Sequence, residues 1–336
     1  MISDKILLDH GSGGKLSNKL VSELILQTFN NPILAQLDDG AMISIANQRL
    51  AFSTDSYTVD PLFFPGGNIG ELAVNGTVND LAMCGAMAKY LSVGLIIEEG
   101  FPISDLKLIL QSMANAAAAA GVQIVTGDTK VVPRGAADKL FINTSGVGAI
   151  PEGIHISGKN ARAGDKIILS GTIADHGMTI LTQREGLQFD SPLRSDSAPL
   201  NRLVAAMLEA SQEIHALRDP TRGGVGTSLN EIAGQSNSGI LLFEDTIPVR
   251  DEVRGACELL GLDPLYVANE GKLLACVGAG DAERVLQRMK AEKYGTDACI
   301  IGEVTAENPR KVFMRTSIGG TRVVDMLTGE QLPRIC

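Results

Sequence analysis

The sequence predicts an α/β protein with α+β character, built from two halves of similar size, and three observations carry that reading. The chain has 336 residues, more than one domain usually holds, and 44% hydrophobic content is enough for ordinary packed cores. Thirty-seven glycines punctuate short apolar runs. Those runs alternate between the two-residue period of strands and the longer period of helices, which marks mixed structure.

The elements follow in order. Residues 49–54 read as a strand leading into Asp55. Ser104 reads as the cap of a helix whose apolar Leu106, Ile109, Leu110, Met113 and Ala117 recur at helical spacing, and Gly121 ends it. Residues 123–125 form a short strand that delivers Gly127 and Asp128 to an edge, and residues 140–147 form another. A boundary falls near residues 151–164. Beyond it come a strand at 167–169, helices around Met178 and Val204, a strand at 216–217, a helix over 226–233, and strands near Ile240, Leu274 and Ile300. After Glu303 the pattern becomes less regular. The chain is thereby divided into an N-terminal segment 1–34, an N-terminal domain 35–152, a C-terminal domain 153–308 and a tail 309–336 that carries Cys336.

Charge and composition narrow the function. Aromatic residues make up only 4% and tryptophan is absent, so platforms for stacking bases are scarce, and a formal charge of −10 repels a polyphosphate backbone. Nucleic acid is not expected as a partner. The start Met1-Ile2-Ser3-Asp4-Lys5 lacks the basic and apolar regions of a signal peptide, and no apolar run is long enough to span a bilayer, so the expected location is cytoplasmic with no membrane partner. The cysteines Cys84, Cys257, Cys276, Cys299 and Cys336 are odd in number and contain no C-x-x-C pair, which predicts reduced thiols. Four sit among apolar neighbours and read as small buried hydrophobes.

Three constellations carry possible chemistry. Aspartates recur in turn-like settings, at Asp38-Asp39-Gly40, Ser53-Thr54-Asp55-Ser56, Asn79-Asp80, Gly127-Asp128-Thr129-Lys130 and Asp219-Pro220-Thr221-Arg222-Gly223-Gly224. Each is equally a helix cap or an Asx turn. Brought together they need a cation, because two carboxylates about 4 Å apart repel by roughly 4 kcal/mol at an effective dielectric of about 20. Mg²⁺ suits such oxygen donors, since it takes one or two carboxylates together with phosphate oxygens and water. The second constellation is Gly11-Ser12-Gly13-Gly14-Lys15, whose free amides and lysine suit a phosphate, although it is not a Walker A loop and reads equally as a flexible N-terminal loop. The third is the tail. Residues 327–336 can extend about 33–36 Å, enough to bring the Cys336 thiol into a distant pocket. A free cysteine titrates near 8.5 and the adjacent carboxylate raises it further, so Cys336 is not tuned as a nucleophile and fits a carrier better. Glu270, in Asn269-Glu270-Gly271-Lys272, is a general base at a strand edge or a turn residue. His176 is the one histidine set near a candidate site, and no histidine pair has metal spacing.

Together these segments resemble the PurM-like superfamily of ATP-using enzymes that includes aminoimidazole ribonucleotide synthetase, selenophosphate synthetase and thiamine phosphate kinase. Residues 53–56, the run Pro61-Leu62-Phe63-Phe64-Pro65-Gly66-Gly67-Asn68-Ile69-Gly70, residues 127–132 and the closing Pro333-Arg334-Ile335-Cys336 are most similar to its HypE family of hydrogenase maturation factors. The resemblance implies an N-terminal mixed sheet that forms a dimer interface and binds ATP, a C-terminal α/β sandwich, and a flexible tail. It implies ATP and Mg²⁺ as cofactors, with Asp39, Asp80 and Asp219 as metal ligands and Lys15, Asp38, Asp55, Asn79, Gly127, Asp128 and Thr129 as nucleotide contacts. Ser12 stands where selenophosphate synthetases carry a catalytic cysteine or selenocysteine, which argues against selenium chemistry. The implied reaction is ATP-dependent dehydration of a carbamoyl group on Cys336 to a thiocyanate, with Glu270 and Lys130 removing protons. The implied partners are a second copy of the chain, the carbamoyltransferase HypF, and a HypC–HypD complex that accepts the cyanide. Two other classes stay open at this point: a superfamily enzyme acting on a free small molecule, and a non-catalytic scaffold that presents a cysteine tail to a metallocluster assembly.

Overall fold

A computed structural model describes residues 5–11, 13–29, 31–187, 193–329, 332 and 334–336. Ser12 and Pro333 lie outside the described residues, so the readings placed on them are not developed further.

The chain begins with short helices α1 (Lys15–Leu20) and α2 (Leu26–Phe29), joined through the π-type turn Val21–Ile25. β1 (Ala41–Ile45) and β2 (Gln48–Tyr57) then form a hairpin over Ala46 and Asn47, both in the left-handed region that tight hairpin turns require. A small ribbon, β3 (Phe63–Phe64) and β4 (Gly67–Asn68), leads into α3 (Ile69–Met83). The Asn68 side chain caps that helix, accepting from Gly70 N at 2.9 Å and Glu71 N at 3.4 Å. β5 (Met87–Glu98), α4 (Ile103–Ala120), β6 (Gln123–Val132) and β7 (Leu140–Ala149) complete the first domain.

Two expectations are corrected here and a third holds. Ser104 is not the cap of α4: Pro102 occupies the N-cap and Ser104 lies inside the first turn, its hydroxyl 3.2 Å from Asp105 Oδ1. Proline before a helix needs no N–H, so the residue that starts the helix is the one with the fixed φ. The strand expected at 123–125 runs on to Val132, so Gly127 and Asp128 sit mid-strand rather than at its end. Gly121 does end α4, with φ 73° and its N–H on the carbonyls of Ala117 and Ala118.

The first sheet has the order β1-β2-β7-β5-β6, antiparallel except for the β5–β6 pair that α4 connects. Along β7 the residues alternate, with Leu140, Ile142, Thr144, Gly146 and Gly148 buried against α3 and the intervening residues on the open face. α3 is buried on nearly all sides. Gly70 allows its close approach to α4, since a Cβ there would lie 2.5 Å from the Ile109 carbonyl oxygen.

The second domain contains β8 (Lys166–Leu169), α5 (Asp175–Arg184), α6 (Asn201–Ala210), β9 (Ile214–Arg218), α7 (Gly224–Ser236), β10 (Gly239–Phe243), α8 (Asp251–Leu260), β11 (Leu274–Val277), α9 (Ala282–Lys290), β12 (Cys299–Thr305), β13 (Val312–Arg315) and β14 (Thr321–Val324). Its sheet has the order β14-β13-β10-β12-β8-β11-β9. One face packs on α7 through Val225, Leu229 and Ile232, and the other on α6 and α9 through Leu203, Met207, Val285 and Met289. The segment after Glu303 is more regular than expected: β13 pairs parallel with β10 and carries β14 on its outer edge. The alternating Val312 and Met314 were too short a signal to separate from loop.

The domains are tied by polar groups of α3. Asn75 donates to Ser197 Oγ at 3.1 Å, and Asn79 donates to the Ala198 carbonyl at 3.0 Å while accepting from Leu200 N at 2.8 Å. The helix is anchored to its sheet by a buried hydroxyl pair, Thr77 Oγ1 and Thr144 Oγ1 at 2.6 Å, with Thr144 donating to the Ala73 carbonyl at 2.9 Å. Replacing that hydroxyl by a methyl leaves buried polar groups unpaired. Thr144→Val is expected to lower unfolding free energy by about 1–3 kcal/mol in urea denaturation, with an unchanged m-value.

Candidate active site where the tail meets both domains

The tail lies inside the protein. Leu332, Ile335 and Cys336 belong to the same apolar core as α3 and α5, and Cys336 is 7% exposed. Its main-chain polar groups find donors on both domains. The Arg334 carbonyl accepts from Arg184 Nη2 at 2.8 Å and Asp60 N at 3.3 Å. The Ile335 carbonyl lies 2.8 Å from His176 Nε2, and a Cys336 main-chain oxygen accepts from Thr58 N at 2.9 Å and Thr58 Oγ1 at 3.2 Å. Arg334 anchors outward through Nε to the Thr58 carbonyl at 2.9 Å and through an ion pair with Asp138.

A cleft of about 440 Å³ opens beside the Cys336 sulfur, lined by Thr54, Asp55, Ser56, Thr58, Asn143 and Arg222 among others. Burial pushes the Cys336 thiol up to about 12, the nearby charge of Arg222 opposes the rise, and Glu270 and Asp55 add to it. The thiol is therefore protonated at neutral pH, as the sequence predicts, but the main cause is loss of water. Glu270 is 3% exposed, and burial with the charges of Asp219, Asp55 and Asp196 holds its carboxyl well above the ordinary range. Its N–H donates to Asp196 Oδ1 at 3.1 Å, and Asp196 is itself paired with Lys272 at 3.0 Å.

Burial raises the proton affinity of Asp39, Asp80 and Asp219, Asp219 adds to the rise of the other two, and Asp39 adds to that of Asp80. Asp219 reaches about 6. Ser53 Oγ donates to Asp80 Oδ2 at 2.6 Å, and Arg218 Nε pairs with Asp39 Oδ1 at 3.1 Å. Asp39 Oδ2 is buried without a hydrogen-bond partner. An orphaned carboxylate oxygen among mutually repelling carboxylates fits a hard cation. Among the described residues no group of three or more acidic, histidine or cysteine side chains is placed to hold a metal ion by itself. Asp55, on β2, adds to the rise of Asp80 and Asp219 and also lines the cleft beside Arg222, whose Nη2 is 4.0 Å away.

Other expected site residues are placed elsewhere. Both Asp38 oxygens are engaged, by Ser157 Oγ at 2.8 Å and Gly158 N at 3.1 Å, and the Asn79 amide is used in the domain tie. Lys15 pairs with Asp325 at 2.5 Å, and Gly14 packs where a Cβ would meet the Leu327 carbonyl oxygen at 2.3 Å. Gly127, Asp128, Thr129 and Lys130 lie on the exposed edge strand β6, with Lys130 paired to Asp128 at 2.8 Å. Since β6 is three places from β2 in the sheet, they stand roughly 14 Å from it within one chain. Gly224 answers to packing as well: its φ is 60°, and a Cβ would lie 2.6 Å from the Leu265 carbonyl oxygen. The sequence reading gave no role to Arg222, Thr58 or Arg334. Arg222 stood in a quoted motif, and a cation three residues after a conspicuous aspartate was the available signal.

Comparison with known proteins follows the same lines. Family models for AIR synthase related proteins match residues 37–150 (N-terminal domain) and 162–315 (C-terminal domain). The carbamoyl dehydratase HypE of Azotobacter vinelandii is 57% identical over 97% of this chain and 96% of its own length. A crystal structure of a HypE–HypF complex superposes with a TM-score of 0.88 at 49% identity, covering 92% of this chain and 99% of that one. A crystal structure of HypE with ATP gives 0.83 at 53% identity, covering 99% and 100%. This two-domain chain, with its cysteine tail folded back between the domains, belongs to the HypE family of carbamoyl dehydratases.

Proposed function

We propose that this chain uses ATP to dehydrate a carbamoyl group carried on its own Cys336 sulfur, leaving a thiocyanate whose cyanide supplies the iron of a [NiFe]-hydrogenase under maturation. The observation that carries the reading is the burial of that sulfur against the cleft of Asp55, Thr58 and Arg222, with Glu270 close enough to raise its proton affinity. A superfamily enzyme acting on a free small molecule, or a non-catalytic scaffold, has no use for a cysteine held at this point.

The chemistry balances. Hydroxide is a poor leaving group and phosphate a good one, so the γ-phosphoryl of ATP is transferred to the amide oxygen of the S-carbamoyl group. The C–O bond then breaks with the electron pair on phosphate, and two protons leave the nitrogen, giving S–C≡N, ADP and phosphate. Glu270 is the first proton acceptor: burial makes its carboxylate, once ionised, a stronger base than an ordinary glutamate. Arg222 holds the sulfur and offsets negative charge beside it. Asp39, Asp80 and Asp219 would hold Mg²⁺, which when bound neutralises charge on the phosphates.

Lys130 could take the second proton only after giving up its own, since it pairs with Asp128 as an ammonium, and only if a homodimer brings it to the cleft. The open face of the first sheet exposes Phe52, Tyr90 and Ile96, and its edge strand exposes Ile124, Val125 and Val131. A second copy seated there would bring the 127–130 segment towards its partner's cleft. The carbamoyl group comes from a HypF-type carbamoyltransferase, a reading supported by the solved HypE–HypF complex of a relative, and the cyanide passes to a HypC–HypD complex.

Mass spectrometry tests the central step. With HypF, carbamoyl phosphate and ATP, the peptide ending at Cys336 is expected to gain a carbamoyl group and then lose one water. Cys336→Ala abolishes both changes, and a native protein that turns over with no nitrile on that sulfur would end this reading. Asp80→Asn is expected to reduce ATP turnover by at least about a hundredfold while circular dichroism stays native.

Glu270 gives a pH test. Its folded-state proton affinity lies above the ordinary value of 4.5, so its contribution to stability is complete below that value and is lost as pH rises through the folded one. Glu270→Gln removes that loss. The fall in thermal midpoint between about pH 5 and about pH 8.5 is expected to be smaller in the variant, while nitrile formation is abolished.

A further inference from the structure

His176 is fully buried and has no part in the phosphoryl and proton transfers, yet it touches the tail directly. It stands in the first turn of α5, and its Nε2 lies 2.8 Å from the Ile335 carbonyl oxygen, one residue before the sulfur-bearing Cys336. A carbonyl only accepts, so Nε2 carries the proton. Nδ1, 2.8 Å from Ser195 Oγ, is then the acceptor for the serine hydroxyl. Ser195 is itself fixed, because its N–H donates to the Pro65 carbonyl at 2.9 Å. The edge of the ring pair is closed by Phe64, T-shaped to the imidazole at 5.6 Å. The result is one tautomer in one orientation, aimed at a tail carbonyl.

We propose that His176 is a positioning residue for the carrier cysteine: by holding the Ile335 carbonyl from the second domain, while Thr58 holds the next main-chain oxygen from the first, it sets the depth at which the Cys336 sulfur enters the cleft. Both grips are on main-chain atoms, so they read the path of the tail rather than its side chains. The two donors flank the sulfur-bearing residue and come from different domains, which fixes the sulfur relative to groups of both, Asp55 on one side and Glu270 on the other. Losing the His176 donor leaves the Ile335 carbonyl buried without its partner, a cost that shifts the tail towards its undocked state. The inference rests on Cys336 as the carrier, but its test does not use the reaction.

The test is alkylation of the full-length chain by iodoacetamide at about pH 8, without ATP or carbamoyl donor, following each cysteine by peptide mass spectrometry. His176→Phe preserves the ring volume and removes the donor. Cys336 is expected to react at least about tenfold faster than in the native chain, with Cys84 and Cys257 as protected as before. His176→Gln, which returns a donor N–H near the Nε2 position, is expected to restore most of the protection. If His176→Phe leaves Cys336 as slow as in the native chain, the positioning role is overturned. If Cys84 and Cys257 become reactive together with Cys336, His176 supports the fold in general and the inference falls as well. A native chain that never forms a nitrile would remove the proposed function and leave this result standing.

Discussion

A segment that runs through a protein interior must find a donor for every carbonyl it takes out of water, and residues 334–336 meet that demand from two domains at once. Arg184 and Asp60 supply the first carbonyl, His176 the second, and Thr58 the third. An unpaired buried carbonyl costs on the order of 1–3 kcal/mol, so the tail is docked only while these donors are all in register. That condition explains why the domains are fastened so specifically to each other. Asn75 and Asn79, one helical turn apart on α3, grip residues 197–200 of the second domain, and Asp38 grips Ser157 and Gly158. A slip between the domains would unpair the tail.

The acidic groups depend on the same arrangement. Ser53 and Asp55 come from β2, Asp80 from the end of α3, and Asp219 from the turn after β9, so the cluster exists only at the meeting of the two sheets. Arg218 sits beneath it, paired with Asp39 and Glu231 and donating to the Leu37 carbonyl at 3.1 Å. One buried guanidinium does not balance Asp39, Asp80, Asp219 and Glu270, and all four carboxyls are held above their ordinary proton affinity. A bound cation would relieve that excess of negative charge.

The alternation of strand and helix periods and the glycine that ends α4 were legible in the sequence. α3 was not, because a helix buried on almost every side has no polar face and so no period to detect. β5 was missed for a related reason, as an apolar run that periodicity does not separate from a buried helix. Asp38 and Asn79 stood beside the metal-ligand candidates in the chain, but neighbours in sequence point to different sides of an element, and the structure turns both to the second domain. Thr58 and Arg222 were hidden, and His176 was placed near a site but given no task, because their importance comes from a contact with residues more than a hundred positions away, which no local pattern encodes.

The burial of the sulfur bears on which bond breaks. A phosphorylated carbamoyl group on sulfur has two exits: the C–O bond, releasing phosphate, and the C–S bond, releasing a thiolate and wasting the carbamoyl group. A site that pushes the Cys336 thiol up to about 12 makes the thiolate a poorer leaving group than an exposed cysteine, while phosphate does not depend on that sulfur's surroundings. The environment that makes this cysteine a weak nucleophile is therefore the one that keeps the carbon attached to it until the nitrile has formed. Arg222 limits how far that goes, since it favours charge on the same sulfur.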